Sequence, residues 1–119
     1  YHWLQIQKFE HKAVTLANSL SFTDFAQAVS ISASFRATPA RHYMTNARGV
    51  EHCNSYIRIE HFEEDVQPLE DHLGFNLTLD HVNKSDRADS YQSYYCEKSQ
   101  AAVGDACAQD IQQFGYTFD

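Results

Sequence analysis

The stretch Tyr56-Ile57-Arg58-Ile59-Glu60 decides how the fold is interpreted, because it is the clearest strand pattern in a sequence whose other patterns are helical. In a strand, Ile57 and Ile59 would share one face, and the polar side chains would take the other face. Apolar residues then recur at helical spacing at Phe62, Val66, Leu69 and Leu73. The segment therefore predicts a short strand that leads directly into a helix.

Pro68 interrupts this helix pattern, because proline has no N–H to donate. Either the helix bends at Pro68, or a preceding turn ends there and a new helix begins near Gln67. Gly74 is placed to end the helix in the left-handed conformation.

Two further helices are predicted in the N-terminal third of the chain. Residues 3–20 carry apolar side chains at alternating three- and four-residue spacing, which predicts one continuous helix. Ser21 and Asp24 have the spacing of a capping box, in which the hydroxyl accepts a backbone N–H of a new helix. A weaker apolar stripe from Phe22 to Ala33 is assigned to that second helix.

The centre of the chain lacks a helical or strand period. Residues 37–55 are predicted to form a long connection with a turn at residues 46–49, and Tyr43 and Met44 form a candidate second strand. From Glu97 onward a last apolar stripe predicts a helix that ends at Gly115. The chain itself is thus expected to be mostly α-helical, with one or two short strands.

Composition narrows the function classes. Nine Lys and Arg against sixteen Asp and Glu give a net charge of −7, which repels nucleic acids and anionic membrane surfaces. No apolar run approaches the roughly 20 residues that a membrane span needs. The three cysteines Cys53, Cys96 and Cys107 form no Cys-x-x-Cys pair, and this odd count indicates reduced thiols and a cytoplasmic location.

A metal site is not expected from the seven histidines, at positions 2, 11, 42, 52, 61, 72 and 81. Zinc sites commonly take paired ligands from one helical turn, and none of these histidines is three or four residues from another. His61 and Asp65 have helical spacing, but such a pair is more typical of surface electrostatics.

Four segments, in order, resemble the C-terminal region of bacterial and carbohydrate sulfotransferases. They are residues 21–25, residues 56–65, residues 81–85, and the pair Tyr94-Tyr95 followed by residues 110–118. Their sequences are SFTDF, YIRIEHFEED, HVNKS, and YY with DIQQFGYTF. Each segment alone is a weak signal, but their order and spacing extend over nearly the whole chain.

The resemblance implies a three-layer α/β fold related to P-loop nucleotide kinases. It also implies an enzyme that transfers a sulfuryl group from 3′-phosphoadenosine 5′-phosphosulfate to a hydroxyl or amine, with carbohydrate as the commonest acceptor class. Residues 1–119 would be the C-terminal portion of a single sulfotransferase domain whose N-terminal nucleotide-binding half is absent. The sequence has no Gly-rich loop able to hold phosphates, so this chain alone is expected to be inactive.

Candidate site residues lie in two segments. By the resemblance, Lys84, Ser85 and Arg87 would contact the 3′-phosphate or the adenine of the nucleotide, although an ordinary solvated turn has the same composition. The segment from Arg41 through His42 to Tyr43 lies where the family has an acceptor-binding loop, although the residues before it depart from the family pattern.

No catalytic base can be assigned from the sequence. His2 and His42 lie in segments that the resemblance would bring near the nucleotide or the acceptor, but neither stands out. Arg58 and Glu60 are interpreted as structural residues, with Arg58 paired to Glu60.

A second hypothesis is a free-standing small helical protein that acts as a binding or dimerisation module without catalysis. In both cases the helices are expected to expose an apolar face, and self-association would cover it. The expected partners are therefore an acceptor bearing a hydroxyl or amine and a second copy of the chain, with no nucleic acid and no membrane.

Overall fold

The computed structural model of the chain describes residues 1–80 and 90–119, which fall into two compact units. The first unit contains residues 1–43 and 90–119, and the second contains residues 44–80. The helices are α1 (His2–Gln5), α2 (Lys12–Ser19), α3 (Phe22–Gln27), α4 (Val29–Ala37), α5 (Ala40–Met44), α6 (Phe62–Asp65), α7 (Gln67–Leu73), α8 (Glu97–Ala106) and α9 (Ala108–Phe114). Short 3₁₀ turns lie at Ile59–His61 and Tyr91–Tyr94.

The predicted three-layer α/β fold is wrong for this chain. Residues 1–80 and 90–119 form no strand or sheet, and their β-type pairing is one isolated antiparallel bridge between Thr45 and Glu51. Arg58 does have an extended backbone, with φ −77° and ψ 132°, but the chain turns into the 3₁₀ segment at Ile59. An extended segment becomes a strand only when a neighbouring strand pairs with its backbone, and the described residues provide none here.

The second candidate strand, at Tyr43 and Met44, is also wrong. Both residues belong to α5, which lies inside the segment expected to be an irregular connection. The turn predicted at residues 46–49 is confirmed: the Asn46 N–H donates to Val50 O at 3.0 Å, and Gly49 has a φ of +74°.

The first predicted helix is divided in two by a break at residues 6–11. His11 begins the second part, because its Nδ1 accepts the backbone N–H of Ala13 at 3.1 Å. Gln5 donates from its side-chain Nε2 to the backbone oxygen of Ala17 at 3.0 Å, which holds the end of α1 against α2. A hydrogen bond across twelve residues gives no periodic signal in the sequence.

The start of α3 agrees with the predicted helix cap, but the predicted second helix is not continuous. The Ser21 Oγ accepts the backbone N–H of Asp24 at 3.1 Å, as predicted for a helix cap. The same hydroxyl donates to the Asp24 carboxylate at 2.7 Å. Ala28 is extended, with φ −60° and ψ 123°, and separates the predicted second helix into α3 and α4.

The sequence correctly predicts where α7 begins and where α7 and α9 end, but it does not predict the interruption between α8 and α9. Pro68 lies in the first turn of α7, so the sequence alternative of a new helix near Gln67 is confirmed. Gly74 and Gly115 end α7 and α9 with φ values of +78° and +68°, where a residue with a Cβ would be strained. The last predicted helix is interrupted at Cys107, between α8 and α9.

The core of the first unit is small. Ala17, Phe25 and Ile31 form its buried centre, and half-buried side chains from α1 and α2 pack around them. Helix α8 packs against α3 and α4. In the second unit, Val66 is 2% exposed at the junction of α6 and α7. Among the described residues, no helix has the length and apolar character needed to cross a membrane.

Candidate functional site

The structure places the acceptor-segment candidates Arg41, His42 and Tyr43 on α5. All three are exposed, and the His42 and Tyr43 rings meet edge to face at 5.2 Å. The start of α5 is fixed by Asp110 of α9, whose Oδ1 accepts the Ala40 N–H at 2.9 Å. The carboxylate thus satisfies a backbone donor in the first turn of a helix.

The nucleotide-segment candidates Lys84, Ser85 and Arg87 lie outside the described residues. Their proposed contact with the 3′-phosphate or the adenine stays a prediction. The same holds for the rest of the His81–Ser85 segment that contributes to the resemblance.

Arg58 pairs with Asp65, so the expected pairing with Glu60 was the wrong assignment. Its Nε and Nη2 donate to the two carboxylate oxygens of Asp65 at 2.7 and 2.9 Å, and its backbone N–H donates to Oδ2 at 3.0 Å. These hydrogen bonds and the adjacent guanidinium hold the pKa of Asp65 well below its ordinary value. Two charged residues of the family-like segment 56–65, Arg58 and Asp65, therefore bind each other.

An aromatic cluster joins the other family-like segments of the first unit. The Tyr95 ring lies 4.8 Å from Phe22 and 5.0 Å from Phe118, with edge-to-face geometry at both contacts. Phe118 also packs against Tyr91 at 5.6 Å, and Tyr94 lies 6.4 Å from Phe22. The start of α3, the Tyr94-Tyr95 pair and the C-terminal tail thus meet in one place.

His2, one of two histidines considered as a base, packs beside this cluster. Its ring lies 4.6 Å from the Tyr94 ring, and its Nδ1 is 3.1 Å from Gln5 Oε1. Its Nε2 is buried and has no hydrogen-bond partner within the described part of the chain. A buried Nε2 offers no direct path for the proton of an incoming acceptor, so the geometry gives His2 no role as a base.

Cys96 forms the N-cap of α8, a feature that sequence reasoning missed. Its backbone N–H donates to Ser99 Oγ at 2.9 Å, and its Sγ lies 3.6 Å from Thr23 Oγ1. Hydrogen bonds from the Ser99 backbone and hydroxyl, followed by that of Thr23, lower the pKa of the Cys96 thiol to about 7. The Cys-x-x-Ser spacing was the available signal, but cysteine is not among the usual capping residues.

Two grooves of the described part of the chain do not fit the nucleotide that the resemblance implies. The first, a groove of about 600 Å³ in the second unit, is lined by residues 59–64 and 77–79. Its charged lining includes the acids Glu60, Glu63 and Glu64, and His61 Nδ1 lies 3.7 Å from Glu64. Carboxylates at this density repel phosphate and sulfate groups, so the groove is unsuited to 3′-phosphoadenosine 5′-phosphosulfate.

A second groove, in the first unit, is also unsuited to phosphate. It contains one cation, Arg36, whose Nη2 is already paired with the carboxylate of Asp105. Within residues 1–80 and 90–119, no three His, Cys, Asp or Glu side chains come close enough together to hold a metal ion.

Comparison of the chain with protein-family models gives no match, and comparisons with curated proteins and with solved structures give none either. The resemblance to sulfotransferases therefore stays a prediction that depends on the sequence segments.

Proposed function

We propose that this chain supplies a helical C-terminal part of a sulfotransferase that uses 3′-phosphoadenosine 5′-phosphosulfate and a hydroxyl- or amine-bearing acceptor, with carbohydrate as the acceptor class. The described residues have a scaffolding role in this proposal, because one of their grooves is acidic and another has its cation already paired with a carboxylate. The three-layer α/β fold is no part of the proposed role.

One observation carries the proposal: the aromatic cluster unites two of the segments that resemble the family, residues 21–25 and the Tyr94-Tyr95 pair with residues 110–118. Phe22, Tyr95 and Phe118 are separated by 73 and 23 residues along the chain, yet their rings are in direct contact. Segments that a family retains for packing are expected to contact each other in this way. Each of them loses its packing partner when another one changes. The Arg58–Asp65 ion pair supports the same interpretation for residues 56–65, the third of these segments among the described residues.

The experiment is a transfer assay on two proteins: the 119-residue chain and the longest natural reading frame that contains it. Each is incubated with radiolabelled 3′-phosphoadenosine 5′-phosphosulfate and a set of oligosaccharides, and binding of 3′-phosphoadenosine 5′-phosphate is measured by calorimetry. We expect transfer and binding from the longest frame and neither from the 119-residue chain alone.

Two outcomes contradict the proposal. In the first, the protein encoded by the longest reading frame neither binds the nucleotide nor transfers the label. In the second, the longest reading frame encodes these 119 residues alone, and its product is equally inactive. Micromolar binding by the 119-residue chain would overturn the scaffolding role specifically.

The second candidate function is a non-catalytic binding or dimerisation module. The observation in its favour is an exposed apolar patch formed by Trp3, Ile6 and Phe9, which are 47%, 63% and 50% exposed. Cooperative folding of the 119-residue chain into a defined dimer, together with an inactive longest frame, would favour this module. The cytoplasmic location stays a prediction in either case, with three free thiols in its support.

A further inference from the structure

We propose that the first unit contains a binding site for a small, neutral, single-ring aromatic molecule. The site is a cavity of about 190 Å³. It lies between α3, α4 and α8, and its lining side chains are Tyr1, Phe22, Phe25, Ala26, Ile31, Ser32, Phe35, Tyr95, Val103, Ala106 and Cys107.

The volume of the cavity limits the size of its ligand. An apolar cavity of roughly 150 Å³ in another protein stays dry and binds benzene or xenon. At about 190 Å³, this cavity holds one six-membered ring and a short substituent. Pockets for drug-sized ligands begin near about 300 Å³, so a nucleotide is too large for it. The site is therefore independent of the proposed sulfotransferase function.

The lining favours an aromatic, uncharged ligand. Tyr1, Phe22 and Phe25 already meet edge to face, with centroid distances of 5.5 Å from Tyr1 to Phe22 and 5.2 Å from Tyr1 to Phe25. An aromatic guest extends the same kind of packing. The side chains of the eleven described lining residues include no Lys, Arg, His, Asp or Glu, so a charged ligand would lose its hydration without gaining a charged side chain as its partner.

Two polar side chains of the lining are already engaged, and this leaves fewer partners for a water molecule in the cavity. The Tyr1 hydroxyl donates to Leu20 O at 2.6 Å, and the Ser32 hydroxyl donates to Val29 O at 3.2 Å. A buried water needs two to four polar partners. A dry cavity leaves its walls without dispersion contacts on one side, and a ligand of suitable shape restores those contacts.

Phe35, one of the lining residues, is 55% exposed, so the lining of the cavity reaches the protein surface. A ligand is expected to enter beside Phe35.

The test is a titration of the full 119-residue chain with benzene, followed by NMR of the methyl groups. The Ile31 and Val103 methyls line the cavity, whereas Val66 is a buried methyl-bearing residue of the second unit. We expect saturable shifts at Ile31 and Val103 and none at Val66. Benzoate, which has the same ring with a negative charge, is expected to leave all three residues unchanged.

A matched pair of variants on α4 tests the location of the site. Ser32→Phe places a ring in the cavity, and Ser34→Phe makes the same change two residues away, where the side chain is exposed and outside the lining. We expect Ser32→Phe to weaken benzene binding at least tenfold and Ser34→Phe to retain it. If circular dichroism shows that Ser32→Phe is unfolded, Ser32→Leu replaces it with the same expectation.

Three results would overturn the site. They are shifts that rise linearly without saturation, equal shifts at Val66, and equal benzene affinities for the Ser32 and Ser34 variants. The nucleotide 3′-phosphoadenosine 5′-phosphate serves as a separate control: failure of the proposed sulfotransferase activity leaves the benzene result unaffected, and the reverse also holds.

Discussion

Arg58 and Asp65 form a two-pronged ion pair in which both carboxylate oxygens accept from the guanidinium, at 2.7 and 2.9 Å. The backbone N–H of Arg58 donates to the same carboxylate, which fixes the extended residue that precedes the 3₁₀ turn. The Asp65 side chain is 16% exposed, so this carboxylate is more sheltered than a typical surface pair. The pair determines how the chain enters α6.

The first prediction concerns the pH dependence of this pair. Because the pKa of Asp65 is lower in the folded chain than in the unfolded chain, the pair stabilises the fold above the ordinary Asp value of about 3.9. This stability is lost as the pH falls below that value. We expect Asp65→Asn to melt at a lower temperature than wild type at pH 7, with the difference shrinking below pH 4. Exposed Asp71→Asn is the control, and equal melting of wild type and Asp65→Asn at pH 7 would contradict the prediction.

The second prediction concerns the N-cap of α3. Ser21→Ala removes the acceptor for the Asp24 N–H, and loss of such a cap costs about 1 kcal/mol of stability. Ser21→Asp retains an acceptor at the helix start and should recover most of the loss. Urea denaturation of the three proteins measures the difference, and Ser19→Ala on α2 provides a control at an exposed serine. Equal stability of wild type and Ser21→Ala would exclude the capping role.

Local rules made Ser21, Pro68 and Gly115 predictable from the sequence. A cap hydroxyl, a missing N–H and a left-handed backbone each depend on a residue and its immediate neighbours. The stop at Gly74 follows from the same physics.

Local rules of this kind do not predict contacts between residues that are far apart in the sequence. The break after α1 is accompanied by the Gln5 hydrogen bond to Ala17, and the start of α5 by the Ala40 hydrogen bond to Asp110. Neither contact has a periodic or local signature. The wrong strand prediction at residues 56–59 has a related cause. Alternation of apolar and polar residues indicates which side chains would share a face of a strand, but it does not show whether a partner strand is present to pair with it.

The candidate site was predictable only as a set of segments. The resemblance selected the segments that form the aromatic cluster, although no residue spacing indicated that Phe22, Tyr95 and Phe118 would touch. The cap at Cys96 was missed because cysteine is an unusual capping residue, and the contact of its Sγ with Thr23 spans 73 residues.

The third prediction concerns the C-terminal tail. Phe118→Ala removes ring contacts with Tyr95 and Tyr91, and the side chain is 40% exposed. We expect a loss of about 1–2 kcal/mol, less than for a fully buried Phe. Phe75→Ala in the second unit is a matched control, because Phe75 is 58% exposed and should change stability by less. Equal losses in the two variants would show that the tail does not stabilise the first unit.

The fourth prediction concerns the reactivity of the thiols. The pKa of Cys96 is lowered to about 7 by its hydrogen bonds, whereas burial, with a smaller contribution from the Asp110 charge, raises the pKa of Cys107. The thiolate is the reactive form, so alkylation of Cys96 by iodoacetamide should rise around pH 7 and that of Cys107 only at higher pH. Mass spectrometry of both sites in one sample measures the two profiles.

A substitution separates hydrogen bonding from simple exposure as the cause of the Cys96 reactivity. Thr23→Val removes a donor to Sγ and should move the alkylation profile of Cys96 to higher pH. Thr15→Val, on the exposed side of α2, should leave it unchanged. If Thr23→Val has no effect on the profile, the hydroxyl does not contribute to the lowered pKa.

The fifth prediction concerns self-association through the apolar patch of Trp3, Ile6 and Phe9. The Trp3 and Phe9 rings lie 6.4 Å apart, so these two exposed apolar side chains are close together, and the exposed Ile6 lies between them in the sequence. Contiguous apolar surface of this kind is typical of interaction sites. We expect dimers in sedimentation at micromolar concentration and a shift towards monomer in Ile6→Glu, because a carboxylate would be buried without a partner. Thr15→Glu adds the same charge at an exposed polar position and should leave the dimer intact. A wild-type chain that sediments only as a monomer would show that the patch does not pair with itself, and a dimer equally weakened by both variants would show that net charge controls association.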